Sequence, residues 1–204
     1  MNSSILKLRG LFPDTKLKIS FSPFDELIKS LEDYSCDVGF AMLRNIDTIP
    51  ASFNAAPISE DRLSLVSVFD MDFSNLPELL KDNPLFLLKG DARWTKQITG
   101  LLHEMNITPF IRWENDFSDM LSRVLTGDGI SVLPHSEVLA ERKSRTDLKY
   151  LDFQGEKAMI NLCAIWHKEN YNTCILPLIN FIRGTNSKST SQEFSPDSPI
   201  ILAD

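Results

Sequence analysis

The stretch "VLTGDGISVLPHSEV", residues 124–138, decides how the chain is read. Phe117, Met120, Leu121, Val124 and Leu125 form one apolar stripe at helical spacing, which predicts a helix over 116–125. Asn115 or Asp116 supplies its cap, and Gly127 lets it end in a left-handed turn. "ISVL" then has no polar alternation, the mark of a strand buried on both faces. Pro134 opens the next helix, which carries Val138 and Leu139. A helix, a buried strand and a helix starting at the strand's carboxyl end make one unit of an α/β sheet. In open sheets of this class, ligands gather at those carboxyl ends.

The rest of the chain repeats the alternation. Residues 3–11 read as a helix, and "KLKISF" reads as a strand through Leu17, Ile19 and Phe21. Ser22 caps and Pro23 begins a helix whose face is Phe24, Leu27, Ile28 and Leu31. Strands are expected at 36–43, 62–69 and 84–89, with a short helical turn at "LPELLKDN". Trp94, Ile98, Leu101, Leu102 and Met105 mark a further helix. "ITPFIRW" is a strand whose Pro109 suits a sheet edge. "LKYLDF" and "MINLCAIWH" are strands, and "ILPLINFIR" is a closing helix. From Gly184 on, Ser, Thr and Pro dominate and a disordered tail is expected over 184–204.

Composition narrows the function. The chain has 204 residues and a formal net charge of −7, the opposite of a nucleic-acid footprint. Its densest basic cluster, "ERKSR" at 141–145, includes Glu141 and reads as a solvated helix end. DNA binding by this chain alone is therefore not expected. The 3 cysteines, at 36, 163 and 174, have neither framework nor metal spacing and fit a reducing cytoplasm. No run approaches the roughly 18 apolar residues of a membrane span, and the N-terminus has no signal-peptide pattern. Nucleophile elbow, phosphate loop and zinc-helix motifs are all missing, so no enzyme, cofactor or metal is expected.

Several segments together resemble the effector-binding domain of LysR-type transcriptional regulators. "GDGISVLP" after an amphipathic helix is similar to that family's G-x-G-I-x-x-x-P segment. "LFPDTKLKISFS", "SLEDYSCDVGFAM", "PISEDRLSLVSV" and "LCAIWHKENYNTCILPLINFIR" resemble further family segments in the family's order, over residues 3–183. The resemblance implies two Rossmann-like α/β subdomains joined by two crossover strands, as in type 2 periplasmic binding proteins, with a small-molecule cleft between them. Subdomain I would be 1–62 plus 163–183, and subdomain II 63–162. The family's winged helix-turn-helix and the strand before helix 3–11 have no counterpart here, so the first strand is expected to be missing. The implied partners are a small-molecule effector and further copies in a homodimer or homotetramer, helix 3–11 meeting helix 116–125. DNA would be reached only through a separate N-terminal domain. A solute-binding protein of the same two-lobed fold is the alternative.

Candidate ligand residues stand at strand ends and helix starts. Ser3 and Ser4 open the first helix, where hydroxyls and free N–H groups suit an anion, or simply cap it. Ser22 holds the same kind of position after the second strand, and Arg44 follows the strand at 36–43. Arg93 could hold an anion bidentately. Trp94 is a cleft wall or, more in keeping with its stripe, a core residue. Asp91 opens the same helix and would repel an anion there. Glu114 faces the cleft or caps the next helix, and His135 follows Pro134 at a strand end. His103 and His167 lack metal-spaced partners and read as structural or solvent residues.

Overall fold

The computed structural model describes residues 17–20, 22–44, 48–90 and 92–186. The expected helix at 3–11 and the expected tail beyond 186 fall outside the described residues. In chain order the elements are α1 (Phe24–Glu32), β1 (Gly39–Leu43), β2 (Phe53–Ser67), α2 (Leu76–Asp82), β3 (Leu85–Leu88), α3 (Ala92–Glu104), β4 (Ile111–Glu114), α4 (Phe117–Leu125), β5 (Ile130–Pro134), α5 (His135–Arg142), β6 (Lys149–Asp152), β7 (Met159–His167) and α6 (Ile175–Asn186). A 3₁₀ turn, Glu156–Ala158, leads into β7.

The chain divides into two compact units. One contains the described residues up to Ala41, with Ile49–Ser59 and those from Cys163 on; the other contains Met42–Thr48 and Glu60–Leu162. Against the expected division, residues 42–48 and 60–62 group with the second unit.

The second unit is a sheet of mixed direction. β3 pairs in parallel with β4 and with β5. The later half of β2 runs antiparallel to β5 on one side and to β6 on the other. β4 is the edge strand, and it begins at Ile111, later than the expected "ITPFIRW", with Pro109 before it and not in it. β3 shows why its sequence has no polar alternation: Leu85 and Leu87 join one buried cluster with Ile98 and Leu102 of α3, while Phe86 and Leu88 join another with Met120 and Val124 of α4. A period of two delivers side chains to both faces, and helices cover both.

Helix ends follow their sequence signals. Asp116 caps α4, its carboxylate accepting from Asp119 N at 2.8 Å. At the other end Gly127 N bonds Val124 O and Asp128 N bonds Arg123 O, with Gly127 at φ +79°. That pair of bonds is a Schellman closure, which satisfies carbonyls the helix leaves open. Gly129 serves differently: a Cβ there would lie 2.4 Å from Pro84 O.

In the first unit Phe53, Ile58, Ile165, Ile175 and Ile179 are buried. Arg183 of α6 donates to Pro57 O at 2.6 and 3.1 Å, tying the closing helix to β2. Five expectations are corrected. Residues 17–20 form no strand, and Leu17 and Ile19 are exposed. Alternation fixes which face a strand would bury, but a ladder also needs a neighbour, and no described strand pairs with this segment. Pro23 takes the cap position of α1, its extended ψ of 154° leaving Ser22 one residue outside the helix. β2 is longer than the expected 62–69, and β1 shorter than 36–43. Gly184 lies within α6, which continues to Asn186, so the tail cannot begin at 184.

Candidate functional site

A cleft of about 840 Å³ lies among residues of the second unit. One wall is a face of α3, where Arg93, Gln97, Gly100 and Glu104 recur at helical spacing. Met42, Leu43 and Arg44 at the end of β1, and Lys157 and Met159 around the start of β7, also line it. Trp94, expected as core or as cleft wall, packs partly buried against the core cluster and also lines the cleft. The structure thus brings Arg44, Arg93 and Trp94 together. Lys157 pairs with Glu104 across the cleft's far end.

Sequence reading missed Lys96, Gln97, Glu104 and Lys157. For the α3 residues a signal existed: 93, 97, 100 and 104 recur along one face that the apolar stripe does not fill. Lys157 comes from a 3₁₀ turn that no periodicity announces.

His135 belongs to a different constellation. Its Nδ1 lies 2.8 Å from Asp152 Oδ1, and the Ser64 hydroxyl donates to the same oxygen at 2.5 Å. Ser64 pairs in register with Asp152, and Leu63 with Pro134, which brings the three side chains to one end of the strands. Tyr150 packs edge-on to His135 at 5.2 Å, with the Arg142 guanidinium 5.1 Å above the tyrosine ring. Next to them, Asp61 accepts from Ser136 Oγ at 2.6 Å and from Ser136 N at 3.3 Å, capping α5. Serine, histidine and aspartate meet here without the wiring of a nucleophile. In a catalytic triad the nucleophile and the orienting carboxylate take opposite nitrogens of the ring. Here Ser64 bonds the carboxylate itself, sits 3.4 Å from that same Nδ1, and is fully buried.

The remaining candidates are dispersed. Glu114 ends β4 and pairs with Arg123 at 3.6 Å, so it is not the cap of α4, a place Asp116 takes. Ser22 is exposed in the first unit. Ser3, Ser4 and Asp91 lie outside the described residues. His103 is exposed on α3, and His167 closes β7, its Nδ1 3.0 Å from the Tyr34 hydroxyl. No group of three or more metal-ligating side chains occurs among the described residues. No helix among them is long and apolar enough to cross a membrane.

A family model described as the LysR substrate binding domain matches residues 3–185. The chain belongs to the LysR substrate binding domain family. No curated protein sequence matches it. Among solved structures, CbnR, a LysR family transcriptional regulator, is 17% identical with a TM-score of 0.64 over 90% of this chain and 64% of that one. The chain therefore spans somewhat less than two thirds of the length of CbnR. The BenM effector binding domain with its effector benzoate is 16% identical, with a TM-score of 0.73 over 95% of this chain and 89% of that one. The reduced regulatory domain of OxyR2 from Vibrio vulnificus is 14% identical, with a TM-score of 0.68 over 90% and 87%. The LysR domain fold, with its mixed α/β sheets, is thus shared at low identity.

Proposed function

We propose that this LysR-type domain senses a small polar effector in the cleft lined by Arg44, Arg93 and Trp94, and that it does no covalent chemistry. The observation that carries the reading is the convergence of these three side chains in one cleft of about 840 Å³, a size usual for metabolite sites. Arginines at a strand end and a helix start can grip an anionic or hydroxylated group. A tryptophan half in the core gives a rigid apolar wall. The Ser64, His135 and Asp152 cluster holds β2, β5 and β6 in register and serves the scaffold.

Binding biases a regulator's assembly by the effector's differential affinity for its two states. In this reading the domain works in the cytoplasm within a homodimer or homotetramer, residues 3–11 of one copy meeting α4 of another, and reaches DNA only through a separate domain. The net charge of −7 supports the last point, because phosphate contacts need gathered Lys and Arg.

The test is a thermal-shift screen of polar metabolites against the wild-type chain and Arg93→Ala. A ligand at about 100 times its Kd should raise Tm by roughly 5–10 °C, and the variant should lose most of that rise. A compound family that stabilises both proteins equally places the site elsewhere.

A further inference from the structure

Gln97 carries the one buried side-chain nitrogen or oxygen among the described residues that lacks a hydrogen-bond partner, its Nε2. The same side chain lines the cleft. Buried amide donors are almost always satisfied, and an exception calls for a physical reason. Here the surroundings offer one. Arg93, Lys96 and Gln97 occupy the first turns of α3, where the helix dipole is positive. Among the described residues the acidic groups of the cleft stand elsewhere, Glu104 in the last turn and Glu156 in the 3₁₀ turn; Asp91, which would oppose an anion at this helix start, lies outside them. Gln97 and Glu104 are seven residues apart on the helix, about 10 Å along its axis. Among the described residues four cations and two carboxylates line the cleft, although the chain as a whole carries −7. Between the polar groups the lining is apolar, with Met42, Leu101 and Met159.

We propose that the effector is a small monocarboxylate with an apolar body. Its carboxylate accepts from Gln97 Nε2, turned toward the cleft by rotation of the amide, and faces Arg93 and Lys96. Its hydrocarbon part lies against Met42, Met159 and Trp94. A second carboxylate is disfavoured, because the far end of the cleft presents Glu104 and Glu156. The inference rests on the reading of this cleft as the effector site.

The probes are hexanoate, 1-hexanol, hexylamine and adipate, titrated calorimetrically into the wild-type chain and followed by thermal shift. Hexanoate should bind at least about tenfold more tightly than each of the other three, a factor of ten being about 1.4 kcal/mol. Gln97→Leu keeps the side-chain volume and removes the orphan donor. Its unliganded Tm should rise by about 2–4 °C, while its affinity for hexanoate falls at least about tenfold. Preference for hexylamine, hexanol or adipate overturns the inference, as does unchanged hexanoate binding by Gln97→Leu, or no binding by any probe. Arg93→Ala and Trp94→Ala separate the two levels. If a different probe binds and these variants abolish it, the cleft reading stands and the monocarboxylate fails. If hexanoate binds and they leave it untouched, both fail.

Discussion

His135 Nδ1 and Asp152 Oδ1 lie 2.8 Å apart, and that carboxylate oxygen also receives the hydroxyl of fully buried Ser64 at 2.5 Å. One oxygen therefore satisfies two groups on two further strands or strand ends. Asp152→Ala leaves the Ser64 hydroxyl buried without its acceptor, and should lower stability by about 1–3 kcal/mol. Ser64→Ala removes donor and cost together and should lose less, about 0.5–1.5 kcal/mol. Urea denaturation of the single and double variants checks this. The double variant should lose less than the sum, since the penalty of Asp152→Ala disappears once Ser64 is gone.

The two glycines of the Gly-Asp-Gly turn should fail in different ways. Gly127→Ala forces a side chain into φ +79° at the Schellman closure, costing about 1 kcal/mol. Gly129→Ala drives a Cβ to 2.4 Å from Pro84 O and 2.7 Å from the Phe86 ring. Pro84 O also accepts from Ile130 N, so the backbone cannot yield without loosening β5. About 1–3 kcal/mol should be lost, and denaturation midpoints should order the variants with Gly129→Ala the lower.

Asp116→Ala removes the carboxylate that holds Asp119 N at the start of α4, and should cost about 1 kcal/mol. Asp116→Asn keeps an acceptor and should stay near wild type by the same measurement. Equal losses in both would show that charge, not the cap bond, matters there.

Glu137 titrates above the ordinary carboxylate range. Partial burial of its carboxyl is the main cause, followed by the like charges of Glu141 and Asp61. A folded-state value above the unfolded one means that the fold prefers the protonated acid. Its contribution is best below the unfolded value and declines as pH rises through the folded one. Glu137→Gln should therefore raise stability at pH 7, by about 0.2–0.5 kcal/mol given solvent screening, and leave it unchanged near pH 3. Denaturant midpoints across that range give the comparison.

Much of the second unit was legible in the sequence because its local signals agree. The apolar run of β3, the stripe and cap of α4 and the Gly127 exit each point to the same α/β unit. The first half of β2 was not legible: "FNAAPISED" has no alternation and carries Pro57, whose ring removes a ladder donor. The segment 17–20 misled for the converse reason, a good alternating pattern without a paired neighbour. In the site, Arg44, Arg93 and Trp94 could be named because they flank recognisable element ends. Ser64 and Asp152 could not, since they meet only through the register of β2 with β6, 88 residues apart. Gln97 lies between these cases: its helix face was readable, but the missing partner of its Nε2 is a fact of packing.

The most direct measurement is a crystal structure of the chain with the compound that most raises its melting temperature. That compound should lie in the cleft lined by α3 and the end of β1, in contact with Arg93 and Trp94 and within hydrogen-bonding distance of Gln97 Nε2. A compound bound elsewhere, beside His135 for example, with Arg93, Trp94 and Gln97 untouched, would contradict it.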